Sequence, residues 1–99
     1  MVWCRMPTLL IGYDLNGAKD YQALYSAIKS VGSAWWHHLD STWLINTTHT
    51  PVAVRDLLKR HLDADDELLV IDVSGDLRAW TGFNQRAAEW LHQTYQARS

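Results

Sequence analysis

Hydrophobic and polar residues follow one another along this chain with two different spacings, and each spacing predicts one kind of secondary structure. Short apolar runs bounded by turn residues are typical of strands. The chain has four such runs, at residues 8–14, 34–39, 42–47 and 67–73. Apolar residues three and four positions apart instead predict helices over residues 19–31, from Thr50–Pro51 onwards, and over residues 84–97.

The order of these elements predicts an α+β fold of the ferredoxin-like, split-βαβ type. In this βαββαβ plan, four antiparallel strands carry two helices on one face. Residues 77–80 would append a short strand, and residues 84–97 a C-terminal helix. Because a chain of 99 residues can form one modest core, we expect a single domain over 1–99, with 1–7 as a leader and 8–83 as the ferredoxin-like core.

Alternation along the predicted strands divides their side chains between the two faces of the sheet. The face covered by helices is expected to carry Leu9, Ile11, Tyr13, Trp43, Ile45, Leu69, Ile71 and Val73. The opposite face is expected to carry Leu10, Asp14, Thr42, Leu44, Asn46, Leu68, Val70 and Asp72. The second set is too apolar to face water, so the sequence predicts a further layer over it.

A homodimer is the expected source of that layer. Burying an aliphatic side chain is worth roughly 1.5–3 kcal/mol, so a contiguous patch favours association. Two copies would meet through the open sheet face, or the strand at Leu77–Trp80 would join the edge of a neighbouring sheet. The interface would then be formed by Leu10, Leu44, Leu68, Val70, Asp72 and Trp80.

Composition and charge narrow the classes of function. The net charge of −2 and the pI of about 6.2 disfavour a nucleic-acid binder, since such proteins usually display a basic face. The single cysteine, Cys4, rules out an intramolecular disulfide. No apolar run reaches transmembrane length and the N-terminus lacks a signal-peptide core, so we expect a cytoplasmic protein that does not enter the membrane.

Six tryptophans in so short a chain allow two interpretations. They are either large fillers of the core and of an interface, or platforms on which nucleic-acid bases stack. The acidic stretch Asp63–Asp66 is interpreted as a solvated connector, because it lacks the ligand spacing and central glycine of a calcium-binding loop.

Asp14 is the best candidate for chemistry, because a carboxylate stands there at the mouth of a buried strand. It either accepts backbone hydrogen bonds from the turn at Leu15–Gly17 or binds a metal. Two copies of Asp14 near a dimer axis would suit Mg²⁺ or Mn²⁺, which prefer oxygen ligands. Such an ion can activate water against a phosphodiester.

His37 is the candidate acid or base beside Asp14. If Asp40–Ser41 is a two-residue turn, His37 pairs with Leu44 and projects on the face that carries Asp14. Histidine titrates near neutrality, which suits proton transfer. The neighbouring His38 would point to the other face and is expected to be a hydrogen-bonded core residue.

Three segments of the chain carry a family resemblance: Leu10–Asn16, Trp36–Trp43 and His61–Ile71. On these segments the chain resembles a family of small bacterial and phage-borne proteins known as SinR-like. More distantly, it is similar to the CRISPR-associated protein Cas-two and to virulence-associated protein D, which are ferredoxin-like homodimers whose first strand ends in an aromatic residue and an aspartate. Tyr13–Asp14 matches that ending, and the resemblance implies a metal ligand at Asp14.

Two classes of function follow. One is a non-catalytic, dimeric interaction module in a mobile-element or defence context, with a protein partner. The other is a Mg²⁺- or Mn²⁺-dependent endonuclease, or a nucleic-acid-binding protein, in which Asp14 binds the metal and His37 takes part in catalysis. The charge of the chain favours the first class.

Overall fold

Seven secondary-structure elements make up the computed structural model, which describes residues 7–15, 21–76 and 78–94. The predicted leader lies outside these ranges except for Pro7. The fold is α+β, with one four-stranded antiparallel sheet and three helices. In chain order the elements are β1 (Thr8–Asp14), α1 (Gln22–Val31), β2 (Ala34–Leu39), β3 (Thr42–Asn46), α2 (Pro51–Lys59), β4 (Glu67–Asp72) and α3 (Gln85–Gln93). None of the helices in the described ranges is long and apolar enough to cross a bilayer.

Two helices begin where local capping chemistry predicts. The hydroxyl of Thr50 accepts a hydrogen bond from the backbone N–H of Ala53 at 3.2 Å, and Pro51 follows as the first helical residue of α2. The side chain of Asn84 caps α3 in the same way, by accepting from the N–H of Ala87 at 2.9 Å. Each cap satisfies a backbone donor that the first helical turn leaves unpaired, so the predicted start of α2 is confirmed.

The strands lie in the order β2-β3-β1-β4, and every neighbouring pair is antiparallel. The prediction that the first strand runs antiparallel to the third and fourth is therefore confirmed. The arrangement is compatible with a ferredoxin-like plan. The appended short strand is wrong for the part that the structure describes, since residues 78–80 are irregular and residue 77 lies outside the described ranges.

The main core lies between the sheet and the two helices α1 and α2. Its fully buried members come from every layer of that sandwich: Leu9, Ile11, Leu24, Ile28, Trp43, Ile45, Val54 and Leu58. The four from β1 and β3 are those that alternation assigned to the helix-covered face, so this part of the prediction is confirmed. Burial of such side chains is the main term that stabilises a small domain.

The assignment of faces on β4 was wrong by one residue. Ile11 of the core lies opposite Val70, and Leu10 lies opposite Ile71. Leu68 and Val70 therefore pack against the core, whereas Leu69 and Ile71 are 55% and 43% exposed. A one-residue slip exchanges the two faces of a strand.

The second face of the sheet is covered over β2 by the helix α3. Trp36 is 3% exposed and packs with Ala87 and Leu91 in a second apolar cluster, and its indole N–H donates to the backbone oxygen of Ala87 at 3.1 Å. The further layer predicted over the second face is thus supplied on this side by the chain's own helix, where a second copy was expected. The apolar residues on one side of α3 pack on the second face of the sheet, at Trp36.

Candidate functional site

Asp14 is the last residue of β1, and its side chain is exposed. It lies directly opposite Glu67, the first residue of β4. Paired residues on neighbouring strands project to the same face, so two carboxylates stand side by side at this end of the sheet. Glu67 was missed from the sequence, although the antiparallel pairing of the first and last strands predicts that the end of one meets the start of the other.

Asp14 belongs to none of the groups of three metal-ligating side chains found among the described residues. The one such group there is Asp63, Asp65 and Asp66, whose ligand atoms lie within 4.8 Å of one another. The predicted turn behind Asp14 falls outside the described ranges from residue 16 onwards. The role of Asp14 as a metal ligand therefore stays a prediction.

The acidic group has a structural role that hydrogen bonds define. The carboxylate of Asp66 accepts from the backbone N–H of Asp63 at 2.9 Å and from the hydroxyl of Tyr21 at 3.2 Å. These bonds close the loop before β4 and fasten it to the start of α1. Partial burial raises the pKa of Tyr21, and the hydrogen bond to Asp66 raises it further because ionisation would place two negative charges in contact.

His37 does not pair with Leu44 as the hairpin was predicted to arrange it. Trp36 lies opposite Leu44 and Leu39 opposite Thr42, with a shift of register between them. Two residues of β2 thus stand against the single residue Trp43, which is the pattern of a β-bulge. The bulge was not visible from the sequence, because an Asp–Ser turn is compatible with more than one register.

The bulge places the imidazole of His37 on the indole of Trp43. The two rings are stacked, with centroids 3.8 Å apart and planes 10° from parallel, and Nε2 of His37 lies 3.3 Å from the backbone oxygen of Asp40. Trp43 belongs to the helix-covered core. Asp14 projects from β1 on the same side as Leu10, which is the second face of the sheet. The structure does not bring the two predicted catalytic side chains together.

Five rings and one ammonium group form what we call the aromatic cluster: Tyr13, Tyr25, Trp35, His37 and Trp43, with Lys29. The indole N–H of Trp43 donates to the hydroxyl oxygen of Tyr13 at 2.9 Å. The Nζ atom of Lys29 lies 4.8 Å from the ring centre of Trp35, within range for a cation–π interaction.

The cluster joins the hairpin of β2 and β3 to β1 and α1. Burial raises the pKa of Tyr13, although the hydrogen bond from Trp43 acts in the opposite direction. The rings of the cluster contact one another, and Trp43 is buried beneath the stacked ring of His37. This favours the interpretation of Trp43 as a packing residue.

The sheet's second face also carries an apolar groove of about 500 Å³ beside α3. We define the apolar groove by the apolar side chains that line it: Leu10, Trp36, Leu39, Leu44, Val73, Trp80, Phe83 and Leu91. Three of the predicted interface residues, Leu10, Leu44 and Trp80, lie here. Leu68 and Val70 belong instead to the core side, and the carboxylate of Asp72 accepts from the N–H of Ser74 at 2.9 Å.

Leu69 and Ile71 extend the apolar surface from this groove towards the edge of the sheet. Both side chains are on the second face, beyond the part that α3 covers, and both are substantially exposed. Sequence reasoning missed them as surface residues because it assigned them to the core.

No protein-family model, curated protein or solved structure matches the chain.

Proposed function

We propose that the protein is a non-catalytic assembly module with a ferredoxin-like fold, which acts as a homodimer. The observation that carries the proposal is the position of Leu69 and Ile71. They project side by side from the outermost strand of the sheet, on a face that the chain's own C-terminal helix leaves open. An exposed apolar patch at a sheet edge is typical of a protein–protein contact.

Two further features support assembly over catalysis. The apolar groove continues the exposed patch inwards from Leu69 and Ile71, so the open part of the second face is one extended apolar surface. The predicted acid and base, Asp14 and His37, face opposite sides of the sheet and do not form a shared proton-transfer site. The resemblance to the SinR-like family is consistent with a module of this kind in a mobile-element or defence context.

Sedimentation velocity on the intact protein tests the proposal. We expect a dimer at low micromolar concentration, and we expect Leu69→Lys/Ile71→Lys to be a folded monomer, since two charges would be buried without partners. Val52→Lys is the matched control, because Val52 is an exposed aliphatic residue on α2, 58% accessible, and its replacement should leave the dimer intact. A wild-type chain that stays monomeric at about 100 μM, where a contact of Kd below 100 μM would be populated, refutes the proposal.

A metal-dependent nuclease is the second candidate, and the pairing of Asp14 with Glu67 favours it. Two adjacent carboxylates are suitable ligands for Mg²⁺ or Mn²⁺. RNA and DNA substrates incubated with either ion should be cleaved by the wild type and spared by Asp14→Asn. Equal background cleavage by the two proteins would remove this candidate, and circular dichroism would show that the variant is folded.

A further inference from the structure

We infer that β4 of one chain pairs antiparallel with β4 of a second copy, around a two-fold axis at Val70. Two four-stranded sheets would thereby join into one continuous sheet, with the helices α1 and α2 of both copies on the same side. This inference rests on the proposed homodimer and specifies its interface. It follows from a comparison of the two sheet edges, from symmetry, and from the charges at the ends of β4.

The two edges of the sheet are protected to different degrees. The edge strand β2 contains the bulge between Trp36 and Leu39, and α3 packs on it. The other edge strand, β4, is regular over all six residues and, within the described residues, pairs only with β1. Natural proteins usually interrupt or charge such an edge, yet the middle of β4 is the aliphatic run Leu68–Ile71.

Symmetry restricts how two β4 strands can pair. A two-fold axis that makes neighbouring strands antiparallel stands perpendicular to the sheet, so it keeps each face on its own side. Two residues that lie opposite each other must therefore project to the same face. Because residues on one face of a strand are two positions apart, the sum of the two residue numbers must be even. The two registers that overlap most of Glu67–Asp72 centre on Leu69 or on Val70.

Charge selects the register centred on Val70. With Leu69 at the axis, Asp66 would lie opposite Asp72 of the partner subunit, and two carboxylates in register repel. With Val70 at the axis, Asp66 lies opposite Ser74 of the partner subunit instead. In that register Asp72 of the partner subunit lies opposite Leu68. Leu68 borders a surface cleft, which is also lined by Arg55 and Lys59 from α2 and by Asp63 and Asp66 from the loop before β4.

The same register buries the exposed aliphatic side chains against each other. Leu69 lies opposite Ile71 of the partner subunit, and the two-fold axis repeats the pair. Both side chains are on the second face and substantially exposed in the single chain. In this register the surface is complementary to itself, which favours a second copy as the occupant.

Disulfide trapping tests the register directly, in a background that carries Cys4→Ser. Opposed residues of antiparallel strands have Cβ atoms about 4.5–5.5 Å apart, whereas diagonal neighbours lie at about 7–8 Å. A disulfide needs Cα atoms within about 4.4–6.8 Å. We therefore mix Leu69→Cys with Ile71→Cys, one of them carrying a mass tag, oxidise mildly and resolve the products on a denaturing gel.

We expect the mixed disulfide to exceed either same-variant product by about tenfold, because only the mixed pair is directly opposed. Val52→Cys is the matched control, since Val52 is an exposed aliphatic residue on α2, 58% accessible, outside the apolar groove, and it should remain uncrosslinked. Far-ultraviolet circular dichroism checks that each variant is folded.

Four results would overturn the inference. Strong crosslinking of Leu69→Cys with itself would move the axis to Leu69, and strong crosslinking of Ile71→Cys with itself would move it to Ile71. A dimer in sedimentation without any mixed disulfide would place the interface elsewhere, and it would leave the proposed assembly function standing. A monomer in sedimentation would refute both.

Discussion

Trp43 and Tyr13 are joined by a hydrogen bond of 2.9 Å, in which the indole N–H donates to the phenolic oxygen. The bond connects β3 to β1 inside the aromatic cluster. Trp43 is 1% exposed, so its indole N–H depends on the Tyr13 hydroxyl as acceptor. A buried donor that loses its partner costs more than the net value of the bond itself, and this makes Tyr13 a stabilising residue as well as part of the Tyr13–Asp14 pair.

Tyr13→Phe should destabilise the folded chain by about 1–3 kcal/mol, because it leaves the indole N–H of Trp43 unpaired. Urea denaturation measures the change in the free energy of unfolding. Trp43→Phe and the double variant complete a mutant cycle. In the Trp43→Phe background, removal of the Tyr13 hydroxyl should cost much less, and an equal cost in both backgrounds would show that the hydroxyl acts through another contact.

The raised pKa of Tyr13 predicts a particular dependence of stability on pH. Its folded-state pKa lies above the ordinary value of 10.0, so above that pH the unfolded chain releases the phenolic proton before the folded chain does. The free energy of unfolding then falls as pH rises through the folded-state pKa. The advantage of the wild type over Tyr13→Phe should accordingly be constant below about pH 9 and shrink as the pH rises above about 10 in urea titrations. An advantage that grows over this range would contradict the assignment.

Gly32 and Gly12 offer a matched test of packing. A Cβ on Gly32 would stand 2.9 Å from the backbone oxygen of Ala34 and 2.9 Å from Cβ of Ile45, whereas on Gly12 the nearest atom is Cδ2 of Leu10 at 3.8 Å. Gly32→Ala should therefore lose about 1–3 kcal/mol through overpacking, and Gly12→Ala should lose nothing or gain about 0.5–1 kcal/mol. Thermal or urea denaturation compares them, and similar effects at both positions would count against a steric cause.

The elements were predictable where local chemistry acts alone. The first strand ends at Asp14 as expected, and the Thr50–Pro51 start of α2 follows from capping and from the fixed φ of proline. Alternation located the core correctly on β1, where Gly12 and Asp14 interrupt the aliphatic run and fix its phase. On β4, residues Leu68–Ile71 are all aliphatic, so no alternation of polar and apolar residues shows which side chains face the core. The pairing of β4 with β1 determines it instead.

The candidate site was less predictable because it depends on register and on a distant segment. The bulge at His37 places its ring against Trp43 of the core, and nothing in the local residues of the hairpin requires it. The pairing of Asp14 with Glu67 joins residues more than fifty positions apart. The cover supplied by α3 depends on where the irregular segment 78–83 places that helix, which the helix's own periodicity cannot show.

The attachment of α3 to the second face depends on Trp36, whose indole donates to the backbone oxygen of Ala87 at 3.1 Å while its ring packs on Ala87 and Leu91. Trp36→Phe removes the donor and leaves a gap under the helix, so the free energy of unfolding should fall by about 1–3 kcal/mol. Native-state hydrogen exchange should show the amides of α3 losing protection before those of β1, because a helix held at one place opens locally.

Trp35→Phe is the control, since Trp35 is 43% exposed on the same strand and faces the other side, and it should leave α3 protected. Unchanged exchange of α3 in Trp36→Phe would mean that Phe83 and Leu91 hold the helix without the indole.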